Sequence, residues 1–202
     1  MNLKRYIGTS VNRKTPRESN SLSHTLLVAM PSLQDDLFSR SVVYVCAHSS
    51  SGATGLIVNQ KLPDVQFKDL LKELKIPESR ILFDQSVYCG GPVDTGQGFV
   101  LHSDDFVQQE TMRLDGHLCL TGTIDILEAV AGGYGPKKSL FAVGYAGWGP
   151  GQLEDEILQN TWLTLPVDPA LLFETAADRR WEEALKRLGA TPWALSSEAG
   201  HA

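Results

Sequence analysis

Long hydrophobic runs are missing from this sequence. The longest, Thr25 to Met30 around Leu26-Leu27-Val28-Ala29, falls far short of the ~18 residues that a membrane-spanning helix requires, so no membrane partner is expected. Cysteine is scarce as well. Cys46, Cys89 and Cys119 form no CxxC pair and leave one thiol unmatched in any disulfide scheme, which fits a reducing compartment. Each is flanked by strand-like residues, the setting of a small buried hydrophobe. There is no GxGxxG after a strand and no Lys-Ser/Thr ending of a P-loop. Zinc-ligand spacing and a helix-turn-helix signal are also lacking. A doubly wound nucleotide fold is therefore not indicated, and neither a metal nor a cofactor is expected.

What is present suits one domain: 202 residues, 42% of them hydrophobic, suffice for a core without external staples. Basic charge is concentrated at the start. The first 22 residues hold five of the 18 basic residues (Lys4, Arg5, Arg13, Lys14, Arg17) and one of the 24 acids, Glu18, so the remainder carries 13 against 23, a net of −10. Residues 1–22, polar and without the apolar region of a secretory signal, read as a flexible basic arm. Residues 191–202 read as a loose tail. The acidic body between them opposes phosphate backbones, because nucleic-acid affinity comes mainly from counterions released by Lys and Arg contacts. Direct nucleic-acid binding is not expected of it.

Along the body, Thr25 to Met30 reads as a strand stopped by Pro31, and Ser41 to His48 as a strand covered on both faces. Ser49 to Gly55, with three serines and two glycines, reads as a loop or hairpin turn into Leu56-Ile57-Val58. Phe67, Leu70, Leu71 and Leu74 recur at helical spacing over residues 66–75. Ile81 to Phe83, Val87 to Cys89, Gly98 to His102 and Leu118 to Leu120 are short apolar segments. A helix follows through Ile124, Ile126, Leu127, Val130 and Ala131, ended by Gly132-Gly133. Leu140 to Ala146 is apolar on both faces and contains Gly144, which fits a central strand closely approached by other backbone. The same close approach is expected at Gly147. Helices are expected at about 152–159 and through Trp181, Ala184, Leu185 and Leu188, the latter stopped by Gly189. Mixed α/β is the resulting class.

Few residues offer chemistry. Cys46 and His48 alternate on one strand, so their side chains are expected to point the same way with Cα atoms about 6.5 to 7 Å apart. That spacing permits a thiol with an adjacent base, or plain packing beside one hydrogen-bonded histidine. The loop Gly147 to Gly151 precedes a helix, but Glu154, Asp155 and Glu156 in the first turn complement the helix dipole and repel a phosphate. Trp148 and Gln152 stand where a strand hands over to a helix, a place that often borders a pocket. Gln152 and Glu156, four apart, share a helix face. Gly90-Gly91-Pro92 serves equally as a tight turn or as backbone brought close to a ligand.

Read together, Leu26 to Pro31, Phe38-x-Arg40-Ser41-Val42, Gly52 to Asn59, Gly90 to Val93, Gly98 to His102 and Gly144 to Ile157, running on to Asn160, Trp162 and Leu163, resemble the AlgH/YqgE-like family of bacterial proteins. The resemblance covers roughly residues 24 to 190. It implies a barrel-like, branched β-sheet surrounded by helices, forming one domain over 23–190. It also implies a cytoplasmic location and a link, in one lineage, to regulation of alginate production. The expected function is that of a non-enzymatic regulatory or adaptor protein binding a protein partner or small ligand. Its groove would draw on Asn59, Gly90, Gly91, Pro92, His102, Tyr145, Trp148 and Gln152, close to Cys46 and His48. Two other classes stand beside it: a thiol-dependent, hydrolase-like enzyme with Cys46 as nucleophile and His48 as base, and a direct DNA-binding transcriptional regulator.

Overall fold

The computed structural model describes residues 21–77, 80–114 and 117–190. Among these, ten strands are β1 (Thr25–Ala29), β2 (Val42–Ser49), β3 (Gly52–Ile57), β4 (Lys61–Gln66), β5 (Ser86–Cys89), β6 (Val93–Ser103), β7 (Met112–Arg113), β8 (Leu118–Thr121), β9 (Ser139–Trp148) and β10 (Trp162–Pro166). The helices are α1 (Phe67–Glu73), α2 (Ile124–Ala131), α3 (Gln152–Leu158), α4 (Pro169–Phe173) and α5 (Arg180–Arg187). The tail at 191–202 and all of the basic arm except Ser21 and Leu22 lie outside the described residues.

The main sheet runs in the order β10-β1-β2-β3-β9-β6-β8-β7, with β5 and β4 branching off beside β9. Every pairing is antiparallel except β5 with β9. Strand β9 makes the branch. One of its edges pairs with β6 from Ser139 to Tyr145. The other serves β5 at Phe141 to Val143 and then β3 at Ala146 to Trp148. The fork falls between Val143 and Ala146, where the Gly90 N–H donates to the Val143 carbonyl and the Gly90 carbonyl accepts from Ile57 N–H.

This curled, half-barrel sheet, mixed α/β with its helices outside and across it, buries three apolar clusters. The inner one gathers side chains from nearly every strand, among them Leu26, Tyr44, Cys46, Leu56, Phe99, Leu101, Leu120 and Leu165, and α4 and α5 close over it with Leu171, Leu172, Trp181 and Leu185. A second, outer cluster (Val43, Val45, Ile57, Trp148, Trp162) lies beneath α3 through Leu153. A third (Val87, Val100, Phe141) lies beneath α1 and α2 through Phe67, Leu71 and Ile126. Strand alternation thus assigns each residue to the inner or an outer face, and the two outer faces divide at the β9 fork.

Helix α5 begins with a buried cation. Arg180 donates from Nε to the Thr175 carbonyl (3.0 Å) and from Nη1 to the Val58 carbonyl, and lies over the Tyr88 ring at 5.3 Å. Trp181 Nε1 donates to the Ala29 carbonyl at 2.8 Å. These contacts fasten α5 to the ends of β1 and β3. The structure departs from the sequence reading at several elements: β6 begins at Val93 rather than Gly98, and β4, β7 and β10 go unread as strands. The expected loop at 49–55 contracts to a tight turn, since β3 already begins at Gly52. Helix α4 goes unread by apolar periodicity because it is five residues long, although Asp168, whose carboxylate accepts from Ala170 N–H, and Pro169 give it a cap and a first residue.

Candidate functional site

The expected pairing of Cys46 with His48 does not form, and a bulge is the reason. In the β2–β3 register Val45 opposes Gly55, but Ala47 opposes Thr54, so one extra residue is inserted at Cys46. A bulge of this kind reverses the side-chain parity beyond it. Cys46 joins the inner cluster with Tyr44 and Leu56. His48 instead pairs with Ala53, a member of the outer cluster under α3.

The two groups are also in different chemical states. Cys46 is 6% exposed, its S–H donates to the Tyr44 carbonyl (3.7 Å), and burial pushes its pKa up to about 12 against the lowering influence of a hydrogen bond with the Leu56 backbone. His48 accepts at Nδ1 from the Leu22 N–H (3.1 Å), so its Nε2 carries the proton and donates to Glu154 Oε1 at 2.9 Å. Ser23 Oγ accepts from the His48 N–H at 2.8 Å. His48 therefore ties the segment entering β1 to the first turn of α3.

On the inner face a small cavity of about 20 Å³ is lined by Cys46, Thr54, Gly55, Leu56, Phe99, Leu120 and Tyr145. Phe99 and Tyr145 meet edge to face with centroids 6.2 Å apart. None of the seven residues carries a charge. Of the groove residues expected from sequence, Tyr145 lines this cavity, together with Cys46.

The other proposed residues are committed elsewhere. Gly90 and Gly91 are pressed against Gly144 and the Tyr145–Ala146 peptide, where any Cβ would collide with backbone. They bring the chain close to β9. Pro92 follows at the same crossing. Asn59 accepts from Val42 N–H (2.7 Å) and donates to the Arg40 carbonyl (2.9 Å), bracketing the entry to β2. Arg40, with φ of 56°, stacks on Trp181 and pairs with Glu182.

Gln152 and Glu156 do share a face of α3, bonded at 2.8 Å between Gln152 Nε2 and Glu156 Oε1. The other carboxylate oxygen, Oε2, accepts from two indoles, Trp148 Nε1 at 2.9 Å and Trp162 Nε1 at 2.7 Å. Gln152 Oε1 accepts the Gly149 N–H at 3.0 Å. Glu156 is thus a buttress between helix and sheet, on the opposite side of the sheet from Cys46.

His102, fully buried, heads a one-way hydrogen-bond chain. Its Nδ1 donates to the Ser103 carbonyl and its Nε2 therefore accepts from Thr121 Oγ1, both at 2.9 Å. Thr121 accepts from Thr111 Oγ1 (2.8 Å), which accepts from Gln108 N–H (3.0 Å). Burial lowers the His102 pKa below the ordinary value, against the raising influence of the Ser103 carbonyl and Asp105. The unfolded chain, near 6.5, then binds the proton first as pH falls. The stability held by neutral His102 is complete above the unfolded pKa and is lost progressively as pH drops through it toward the folded one. His102→Gln is expected to be less stable at pH 8 and to show a flatter decline in melting temperature between pH 8 and 5 than the parent. Parallel profiles would rule this role out.

Residues that sequence reading missed are Thr54, Gly55, Leu56, Phe99 and Leu120 at the cavity and Glu154 at His48. No local pattern marks them; they are joined by cross-strand register and helix docking. Among the described residues no group of three His, Cys, Asp or Glu side chains converges as a metal site, and no helix is long and apolar enough to cross a membrane.

Known proteins resemble this chain in sequence and fold. A family model described as AlgH-like matches residues 26–193. A UPF0301 protein of Azorhizobium caulinodans is 46% identical over 192 residues, covering 90% of this chain and 92% of the relative. One from Nitrobacter hamburgensis is 49% identical over 195 residues, with 92% and 89% covered. The solution structure of the AlgH protein from Pseudomonas aeruginosa superposes with a TM-score of 0.74 at 40% identity, over 94% of this chain and 99% of that one. Protein DIP2367 from Corynebacterium diphtheriae, at 23% identity and a TM-score of 0.67 over 82% and 86%, shares the fold.

Proposed function

The chain belongs to the AlgH-like family, and from that premise we propose that it is a cytoplasmic, non-enzymatic regulatory or adaptor protein. Its partner protein or small ligand is taken at the apolar opening on the inner face of the half-barrel, and any effect on transcription passes through that partner. The observation that carries this reading is the state of Cys46. It is the one thiol lining the opening, and it is desolvated, bonded to a carbonyl and separated by the sheet from His48. A thiol needs a base or positive field to act as a nucleophile. A binding site needs only an accessible apolar recess. The net charge of −10 over residues 23–202 favours a partner other than a phosphate backbone.

Alkylation of Cys46 tests the reading. Followed residue by residue by mass spectrometry, iodoacetamide should modify Cys46 more slowly than the half-buried Cys89 at neutral pH, and His48→Ala should leave the Cys46 rate unchanged. Rapid modification that titrates below the ordinary thiol pKa of about 8.5, and that slows in His48→Ala, would transfer the site to the thiol-enzyme class.

A further inference from the structure

The opening has a definite shape, set by a glycine. Gly147 stands directly opposite Thr54 across the β3–β9 pair and two residues beyond Tyr145, so it lies on the inner face with both cavity-lining residues. A Cβ placed there would meet only the Tyr145 ring at 3.7 Å and a Val93 methyl at 3.9 Å. These are ordinary contact distances, and Gly147 has no positive φ. Unlike Gly144, then, Gly147 is not demanded by the backbone. Its missing side chain leaves a notch at the rim, between Thr54, Tyr145 and Val93, beside the recess floored by Cys46. Val93, directly opposite Tyr145 in the β6–β9 register, is 37% exposed and extends the apolar rim outward.

Size decides what enters. A cavity of about 20 Å³ is little more than one water-sized probe, roughly 10–15 Å³, whereas a dry cavity known to admit a benzene ring is about 150 Å³. A ring is too wide without major repacking; a methyl or methylene group is not. The lining carries no charge to recognise a head group, so recognition falls on the apolar end of the ligand. We infer that the Gly147 notch and the adjoining recess form a site for the end of an unbranched alkyl chain, belonging to a small lipid-derived molecule whose head remains in solvent. This rests on the binding reading of the inner-face opening and gives it a ligand class.

The test is a titration of the full chain with 1-butanol, 1-hexanol and cyclohexanol, observed through the methyl resonances of Leu56 and Leu120 and the ring resonances of Phe99 and Tyr145. Saturable shifts confined to these groups are expected with 1-hexanol. Affinity should rise from butanol to hexanol by less than the about fourfold per methylene of full burial, because the recess takes only the chain end, and cyclohexanol should bind several-fold more weakly. Gly147→Leu, filling the notch, should abolish the shifts. Val93→Asp, which puts a charge on the exposed rim and leaves the recess intact, should weaken binding without loss of folding and provides a second check should Gly147→Leu fold poorly. The inference is overturned if 1-hexanol gives no saturable shift up to its solubility, if cyclohexanol binds equally well, or if both variants bind like the parent. Absent hexanol binding with a slow Cys46 removes this ligand class alone. A fast, His48-dependent Cys46 removes the reading beneath it.

Discussion

Gly144→Val is expected to cost more than about 4 kcal/mol, enough to leave the chain largely unfolded or insoluble, while Gly147→Ala, three residues along the same strand, should stay within about 0.5 kcal/mol of the parent. Sequence reading treats the two glycines alike; the structure separates them. At Gly144 the backbone has φ of 71°, a region that strains any branched residue by roughly 1–3 kcal/mol. A Cβ there would also run into the Gly91 carbonyl oxygen and stand 3.0 Å from that of Val93. Both obstacles are backbone of the β9 fork, held by the Gly90 N–H to Val143 carbonyl bond and by β6 pairing. Relief means parting β5 or β6 from β9. At Gly147 the nearest atoms are side-chain carbons at contact distance. Urea denaturation of both alanine variants and of Gly144→Val measures the contrast. Equal losses at the two positions would show that the fork does not fix the fold.

Elements with their own periodicity were legible without coordinates. The repeat of Trp181, Ala184, Leu185 and Leu188 places α5, and Gly189, with φ of 72°, stops it as expected. Gly132 likewise follows α2 directly. What periodicity cannot supply is the face a strand presents once its register breaks. The single inserted residue at Cys46 moves His48 through the sheet, and with it the only candidate catalytic pair. No residue type near Cys46 announces the insertion, because it is fixed by what β3 offers opposite. The proposed groove is also divided. Tyr145 lies inward and Trp148 outward because an odd spacing on one strand puts them on opposite faces. Asn59 is occupied by backbone 17 and 19 residues away in the chain, a distance at which spacing has no meaning. Apolar alternation showed that β2 is covered on both sides; only the topology shows that one cover is α3 and the other the plug of α4 and α5.

The second large effect is expected at the indole–carboxylate buttress. Trp148 is 7% exposed, packs edge to face with Trp162 at 6.2 Å, and shares with it the Glu156 carboxylate oxygen. Trp148→Ala should cost about 3–5 kcal/mol from lost burial and the cavity left behind. Trp148→Phe should cost less, since the ring mostly fills the site and the Glu156 oxygen keeps its bond to Trp162. Glu156→Gln tests the polar half. Whichever way its amide turns, it loses charge-assisted bonds; with NH₂ at the Oε2 position it confronts two indole donors with another donor, and with NH₂ at Oε1 it confronts the Gln152 amide. A loss of about 1.5–3 kcal/mol is expected, the range for hydrogen bonds to a charged partner. Because Trp148 and Glu156 share one bond, the double variant Trp148→Phe/Glu156→Gln should lose less than the two single losses added together. Chemical denaturation of the four proteins completes the cycle. If Trp148→Ala lost under about 1 kcal/mol, the indole would be a groove wall rather than a support. The outer face would then have to be considered as a binding surface in its own right.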